Sequence, residues 1–533
     1  VRYHAIVIGG GHNGLTAAAY LARAGRKVLV LERRHVLGGA AVTEELFPGF
    51  RYSVCSYVVS LLRPQIIREL DLARHGLKIL PLDGTFTPMP GGDYLWRVDD
   101  HATTHRELAR HSRLDADAYE GYVETMAGMA RFVKPILDMT PPDPASRNPR
   151  DLLQLLSLAN RFRGLSTCDR RIFVQLMTMS AADFLAQWFE TDVLKATMAA
   201  SGIIGTFLGV RSPGTAYVLL HHYMGELDGV FRSWGLPVGG TGAISNAIAQ
   251  AGRQAGVEVR TEASVARIRT KDQRAVGVVL ANGDEIDADL VLSSVDPRRT
   301  FLALLDPREL PSEFVDQVKR YRFRGASAKV NVALDALPQF TALPGAGHLA
   351  GAISISPSLD YMERAYDEAK YGEFSRRPYI DMVIPTLTDP SMAPPGKHIL
   401  SCFVQYAPYA RARGSWDEAR ESFGDTVVDT LAEYAPNIRN LILHRQVVTP
   451  LDLEREFSLT EGDIFQGELA PDQLFFMRPV PGWAQYKTPV TNLWMCGSAT
   501  HPGGGIMGAP GRNAARQILG IRAPLFRVPP LFR

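Results

Sequence analysis

Near its start the chain passes from an apolar, β-prone stretch, Ala5 to Ile8, directly into Gly9-Gly10-Gly11-His12-Asn13-Gly14. An Ala/Leu-rich stretch follows, reaching about Ala24. Strand, glycine turn and helix in that order predict the first βαβ unit of a doubly wound sheet. Gly25 ends the helix and Lys27 to Leu31 form the second strand. Gly9 permits the tight turn, Gly11 lets the backbone approach a pyrophosphate, and Gly14 lets the helix pack close to the strand. The helix N-terminus, with Asn13 in its first turn, offers free N–H groups and a favourable dipole to an anion. Glu32 ends the second strand, 18 residues beyond Gly14. An acid there accepts hydrogen bonds from a ribose diol and disfavours a 2′-phosphate. A glycine turn without a ligand is the alternative, but strand, helix and spaced acid together favour a dinucleotide.

The residues after the acid narrow the choice. In Arg33-Arg34-His35-Val36-Leu37-Gly38-Gly39 a second glycine pair follows closely. That is typical of FAD proteins rather than NAD dehydrogenases, because a bare backbone passes close to the ribityl chain. Arg34 is placed to meet a phosphate. Arg33 is either a second phosphate contact or part of a solvated turn.

Composition excludes several classes. The 533 residues carry 58 basic and 56 acidic side chains, a net charge of +2, so no nucleic-acid footprint is expected. Cys55, Cys168, Cys402 and Cys496 are far apart, with no C-x-x-C pair and no zinc spacing, and each reads as a small buried hydrophobe. No apolar stretch reaches the ~20 residues of a spanning helix. The run Ala196 to Val210 reads as a buried helix. With its first strand about four residues in, the chain carries no expected leader, and cytoplasm is the expected location. A membrane surface, or mitochondria for a processed form, are the variants of that expectation.

The pattern along the chain is that of an α/β protein with two interleaved domains. Residues 1–75, 232–300 and 456–521 are expected to assemble the nucleotide domain. Residues 76–231, largely helical, and 301–455, mixing strands and helices, are expected to build a substrate-facing α+β domain. Strands are predicted at Val257 to Arg260, Val276 to Leu280, Glu285 to Asp287, Leu290 to Ser293 and Leu493 to Cys496, with a turn at Asn282-Gly283. The tail 522–533, with Pro-Leu-Phe-Arg twice, reads as an extended arm on the surface.

The N-terminal pattern, the segment Gly239-Gly240-Thr241-Gly242 and the stretch Cys496-Gly-Ser-Ala-Thr-His-Pro-Gly-Gly-Gly-Ile-Met-Gly508 resemble the phytoene desaturase-related flavoproteins, along essentially the whole chain. The resemblance implies a glutathione-reductase-type FAD-binding Rossmann domain with an amine-oxidase-like substrate domain. It implies FAD held by Gly9, Gly11, Asn13 and Gly14 at the pyrophosphate and by Glu32 at the adenosine ribose. Gly38, Gly39 and Ala40 would run along the flavin side. Val265 would meet the adenine through its backbone. Gly497, Gly505, Met507 and Gly508 would lie at the flavin end, where N–H donors stabilise the charge of the reduced ring. Many relatives place an acid after the glycine of the last strand; here the residues are Gly497-Ser498.

A disulfide-reductase reading fails on the residues. It needs two neighbouring cysteines after the first βαβ unit, and only Cys55 is there. It also needs a second glycine motif for a nicotinamide, yet Ser245 stands where the last glycine would be. Electrons are therefore expected to enter from a small organic substrate and leave to oxygen, a quinone or another protein.

Two residues are candidates for chemistry. Lys329 lies on the predicted strand Ala328 to Leu334, and flavin amine oxidases carry a lysine on a comparable strand that holds a water near flavin N5. Partial desolvation there fits it for proton chemistry; a strand-edge lysine in solvent is the alternative. His501 resembles the His-Pro of phytoene desaturases and is either an acid or base or an anchor for the glycine turn. His221, His222 and Tyr223 are expected near the substrate. His101 and His105, though spaced i,i+4, read as a polar helix start, and no metal site is expected. The segment Arg147 to Arg171 interleaves arginines with leucines. It reads as a helix packed on the core with a solvated basic face, or as one lying on an anionic membrane. The expected function is an FAD-dependent oxidoreductase acting on an apolar, isoprenoid-like substrate. A secondary or methylated amine is the second substrate class, and a regulatory or interaction role is the third reading.

Overall fold

The computed structural model describes residues 2–227, 230–231 and 234–521; the arm expected at 522–533 lies outside the described residues. The first sheet is built from β1 (Tyr3–Ile8), β2 (Val28–Leu31), β3 (Glu258–Arg260), β4 (Val265–Lys271), β5 (Arg274–Leu280), β6 (Glu285–Ser293) and β7 (Leu493–Met495). Its parallel part runs β3-β2-β1-β6-β7, so three separated stretches of chain supply neighbouring strands. β2 is buried at every residue, as a parallel strand covered on both faces must be. One cover is α1 (His12–Arg23), against which both α2 (Gly242–Gln254) and α3 (Ala509–Ile518) pack.

The two strands predicted at Glu285 to Asp287 and Leu290 to Ser293 are one. β6 pairs antiparallel with β5 in its first half and parallel with β1 and β7 in its second. A single long strand thereby ties the β4-β5-β6 meander to the parallel sheet.

A second, mostly antiparallel sheet orders its strands Ile442–Val448, Ser327–Leu334, His398–Gln405, Tyr379–Val383, Ala352–Ile355, Thr85–Pro88 and Tyr94–Arg97. Ser327–Leu334 is buried along its whole length. Helices of 101–223 pack beside this sheet around a core that includes Tyr122, Phe184 and Tyr379.

Three expectations are corrected. The run Ala196 to Val210 is not one helix. Helix Asp192–Ala199 passes into a 3-10 turn at Ala200–Gly202, and then Gly205, at φ +77°, breaks the path beside the Phe465 ring. Cys168 is exposed rather than buried, because it sits in the first turn of the surface helix Thr167–Thr178. Helix Pro149–Arg163 turns three of its five leucines outward, with Leu155 and Leu158 half-buried. Leu152, Leu153 and Leu156 are 46%, 53% and 59% exposed. Arg161 faces the body instead, donating to the carbonyls of Arg131 and Phe132 and lying over the Phe132 ring.

Candidate functional site

One cavity runs from the C-terminal ends of β1 and β2 to the second sheet. Gly9, Gly11, His12, Asn13, Glu32, Arg33, Arg34, Gly38, Gly39, Ala40 and Val265 line one stretch of it, and Tyr57, Trp234, Lys329, Phe403 and Phe465 line another. The crevice beyond the carboxyl ends of parallel strands is where open α/β sheets take ligands.

The glycines divide by task. A Cβ on Gly14 would sit 2.3 Å from the Gly9 carbonyl and 3.1 Å from Ser294, so Gly14 is there to seat α1 against the strand. A Cβ on Gly11 would meet nothing closer than the Gly38 carbonyl at 4.0 Å, so the space before Gly11 belongs to the cavity. Gly38 donates to the Gly10 carbonyl at 2.9 Å, which lays the second glycine pair beside the first turn. Its φ of +122°, and a Cβ position 2.2 Å from the Ala41 carbonyl, exclude a side chain.

Glu32 is buried and accepts the N–H of Gly10 at 2.7 Å and of Arg34 at 2.9 Å. Those two bonds fix the carboxylate and leave lone pairs on both oxygens for a diol. Arg34 Nη2 donates to both carboxylate oxygens of Glu44, at 2.9 and 3.0 Å, and the guanidinium lies 4.6 Å over the Phe457 ring. Its Nη1, like the Oδ1 of Asn13, is buried without a partner. Unpaired buried polar atoms are costly, and a phosphate and a hydroxylated ligand satisfy both kinds. Arg33 turns to the carbonyls of Arg455 and Glu456 at 3.0 and 2.6 Å and so ties down the helix Pro450–Phe457 that walls the cavity. Val265 lines the cavity beside Ala263 and Ser264.

At the far end of the motif set, Gly505 and Ile506 line the cavity, and Gly497, Met507 and Gly508 do not. A Cβ on Gly497 would lie 2.3 Å from the Ser294 carbonyl, so this glycine is a packing residue. Its neighbour Ser498 faces the cavity and accepts from Asn13 Nδ2 at 3.0 Å. Gly508 caps α3 with φ +68°, where Ile66 and Thr16 crowd it. Met507 accepts the Arg63 N–H through its carbonyl.

His12 bonds the Gly505 carbonyl at 3.2 Å and so links the two glycine turns. Burial pushes its pKa down to about 4, so the neutral ring donates.

Lys329 is 2% exposed. Its ammonium donates to Ser401 and, at 3.2 Å, to Asn331, and lies 5.0 Å from the Tyr57 ring centre. Burial lowers its pKa to about 8. His501 lies off the cavity. Its Nε2 bonds the Ile136 carbonyl at 2.8 Å, its ring meets Phe475, and its own carbonyl accepts the Tyr486 hydroxyl. These contacts tie the glycine turn to the 3-10 helix Lys134–Asp138. Of the triplet 221–223 only His222 reaches the cavity, because successive helical residues point about 100° apart; its ring stacks on Trp234. His105 pairs with Asp117 at 3.1 Å on the surface.

Tyr57, Phe403, Phe465 and Trp234 carried no sequence signal, whereas Ser498 stood out only as the residue where many relatives place an acid. Each reaches the cavity from a segment whose local pattern is that of ordinary strand or loop.

The family described as flavin containing amine oxidoreductase matches residues 14–519. The chain is 42% identical to pyridine nucleotide-disulfide oxidoreductase domain-containing protein 2 of Rattus norvegicus, over 97% of this chain and 93% of that one. It is 25% identical to a phytoene desaturase (lycopene-forming) of a Paracoccus species, over 97% of each. Among solved structures, a redesigned putrescine oxidase superposes with a TM-score of 0.60 at 16% identity, over 97% of this chain and 98% of that one.

Proposed function

The chain belongs to the flavin containing amine oxidoreductases and is an FAD-dependent oxidoreductase; from that premise we propose that it takes a hydride from a C–H bond of an apolar organic substrate and delivers the electrons to a separate acceptor. The residues at hand fit the cofactor. Gly9, Gly11, Asn13 and the start of α1 would hold the pyrophosphate, Glu32 the ribose, Arg34 a phosphate, and Val265 the adenine. Gly38, Gly39, Ala40 and Gly505 would flank the remainder. Bound FAD supplies the two-electron acceptor for the hydride at its N5.

The observation that carries the substrate class is the wall of the inner cavity. Tyr57, Val59, Leu61, Ile204, Trp234, Phe403, Ile464 and Phe465 line it. The ionisable side chains that line the cavity alongside these apolar ones include Cys55, Tyr57, His222 and Lys329; its carboxylates are Glu32, which accepts from Gly10 and Arg34, and Glu456, on the helix that Arg33 ties down. A protonated amine would enter beside the Lys329 ammonium, whereas an alkene or alkane loses nothing by desolvation there. The name of the Paracoccus relative points to the same class. Lys329, held by Ser401 and Asn331, would take or hold a proton beside the reacting carbon.

No nicotinamide site is proposed, because the second helix start is already filled. Gly242 N–H donates to Thr43 and Thr241 N–H to Ser53, while Ser245 donates to the Ala41 carbonyl. Oxygen, a quinone or a protein would then reoxidise the flavin.

The test is anaerobic mixing of the FAD-loaded protein with isoprenoid alkenes and, separately, with secondary or methylated amines. Bleaching by an alkene supports the reading. Bleaching by amines alone replaces the substrate class, and no bleaching by either favours a regulatory flavoprotein.

A second reading concerns location. The outward leucines of helix Pro149–Arg163, beside exposed Arg150, Arg163 and Arg171, suit an anionic membrane surface from which an apolar substrate is drawn. No helix among the described residues is long and apolar enough to cross a membrane. Co-sedimentation with anionic vesicles, set against neutral ones, tests this.

A further inference from the structure

In the second sheet Lys329 stands directly opposite Phe403, and Phe403 directly opposite Asp381 on the next strand. Cross-strand partners share a face, so lysine, phenylalanine and aspartate form one row. Tyr57, from another segment, lies across that row. Its ring stacks on Phe403 at 6.0 Å and 19°. Lys329 Nζ is 5.0 Å from its centre at one side. Its hydroxyl donates to Asp381 at the other. Tyr57, Phe403 and Lys329 line the cavity, and Asp381 does not.

A half-buried carboxylate behind an aromatic wall needs a reason, since desolvation disfavours its charge. Resting on the reading of Lys329 given above, we propose that Asp381 is a positioning residue for this site: it fixes the Tyr57 ring across the cavity wall, and its negative charge is the one against which Lys329 is balanced. The other titratable groups near the pair are Cys55, Cys402 and Tyr379. Burial drives Cys402 up to about 12, and Cys55, Tyr57 and Tyr379 upward as well, so all four stay neutral through the physiological range. Lys329 and Asp381 are left as the two groups that change charge. Burial raises Asp381 to about 6, with the Tyr57 hydrogen bond and Lys329 opposing, so near neutrality it is the carboxylate.

The experiment follows the Lys329 Cε shift with pH in FAD-loaded protein labelled with 13C-lysine, the resonance being assigned with Lys329→Met. Removing a nearby negative charge favours the neutral amine. Asp381→Asn is therefore expected to lower the Lys329 midpoint by about 1 pH unit. Asp381→Glu should restore it, and Tyr57→Phe, which keeps the carboxyl group and removes only the hydrogen bond that lowers its pKa, should move it by less than Asp381→Asn does. An unchanged midpoint in Asp381→Asn overturns the proposal, as does a Tyr57→Phe shift as large as that of Asp381→Asn, which would assign the effect to wall packing. If Asp381→Asn does not fold, Asp381→Ser reads the same shift. The underlying reading fails separately: Lys329→Met would then reduce its flavin at the wild-type rate whatever the midpoints show.

Discussion

At Gly11 and Gly14 the same residue type does two different things, and substitution separates them. Gly11→Val places its side chain in cavity space, so the apoprotein is expected to melt within a few degrees of wild type while retaining no FAD on gel filtration. Gly14→Val drives a side chain into the Gly9 carbonyl. It is expected to cost at least about 1–3 kcal/mol in a denaturant titration, with or without cofactor. Full flavin occupancy in Gly11→Val would remove the motif from the cofactor site. Lys329 carries a pH prediction. Its pKa is lowered to about 8, so a step that needs the neutral amine speeds up as pH rises through about 8. Stopped-flow reduction of wild type should show that limb. Lys329→Met should lack it and run about 10²-fold slower or worse, the usual loss when a general acid or base is removed. These glycines and Lys329 were legible in the sequence because each stands in a telling local frame: a strand-to-helix turn, or an apolar strand that has no use for a charge. His501 shared such a frame, in the Pro-Gly-rich turn, but the frame does not say which way the ring points. Its anchor, the Ile136 carbonyl, comes from a helix 365 residues away.

Elements place these residues by close approach. α3 crosses α1 where a Cβ on Gly511 would lie 2.0 Å from the Asn13 carbonyl. That crossing brings the Gly505 turn down on the first turn of α1, where His12 and Asn13 bond Gly505 and Ser498. Gly511→Ala is expected to push the helices apart, costing about 1–3 kcal/mol and weakening FAD binding, measured by flavin release during a urea titration. A variant with wild-type stability would mean that the crossing yields without strain. The helix–helix contact left no trace in the local pattern, since a glycine inside a helix has several readings. The division of β6 between two pairings was equally hidden. Asp287 and Leu290 are expected on separate strands, yet the backbone runs straight through, its first half pairing with a solvated meander and its second with a covered sheet.

At the scale of the whole molecule the surface helix Pro149–Arg163 gives a prediction of its own. Replacing Leu152, Leu153 and Leu156 together by Asp should reduce vesicle co-sedimentation by at least about tenfold, through lost apolar burial and added repulsion from the lipid. Flavin content should stay unchanged, since these side chains already face solvent. Unaltered binding would take the helix out of the contact. By itself the sequence determined the α/β class, the strand–glycine turn–helix frame with Glu32 at the end of the next strand, and the wide spacing of the four cysteines. These are properties of backbone conformation and of spacing along a single segment, which residue type constrains directly. The tertiary structure alone decided the inner site. Tyr57, Lys329, Asp381 and Phe403 come from four segments and meet because strand register aligns three of them and a loop from the nucleotide half crosses above. Register is set by the whole sheet and its cover, and a contact between residues 324 apart leaves no mark on the neighbours of either.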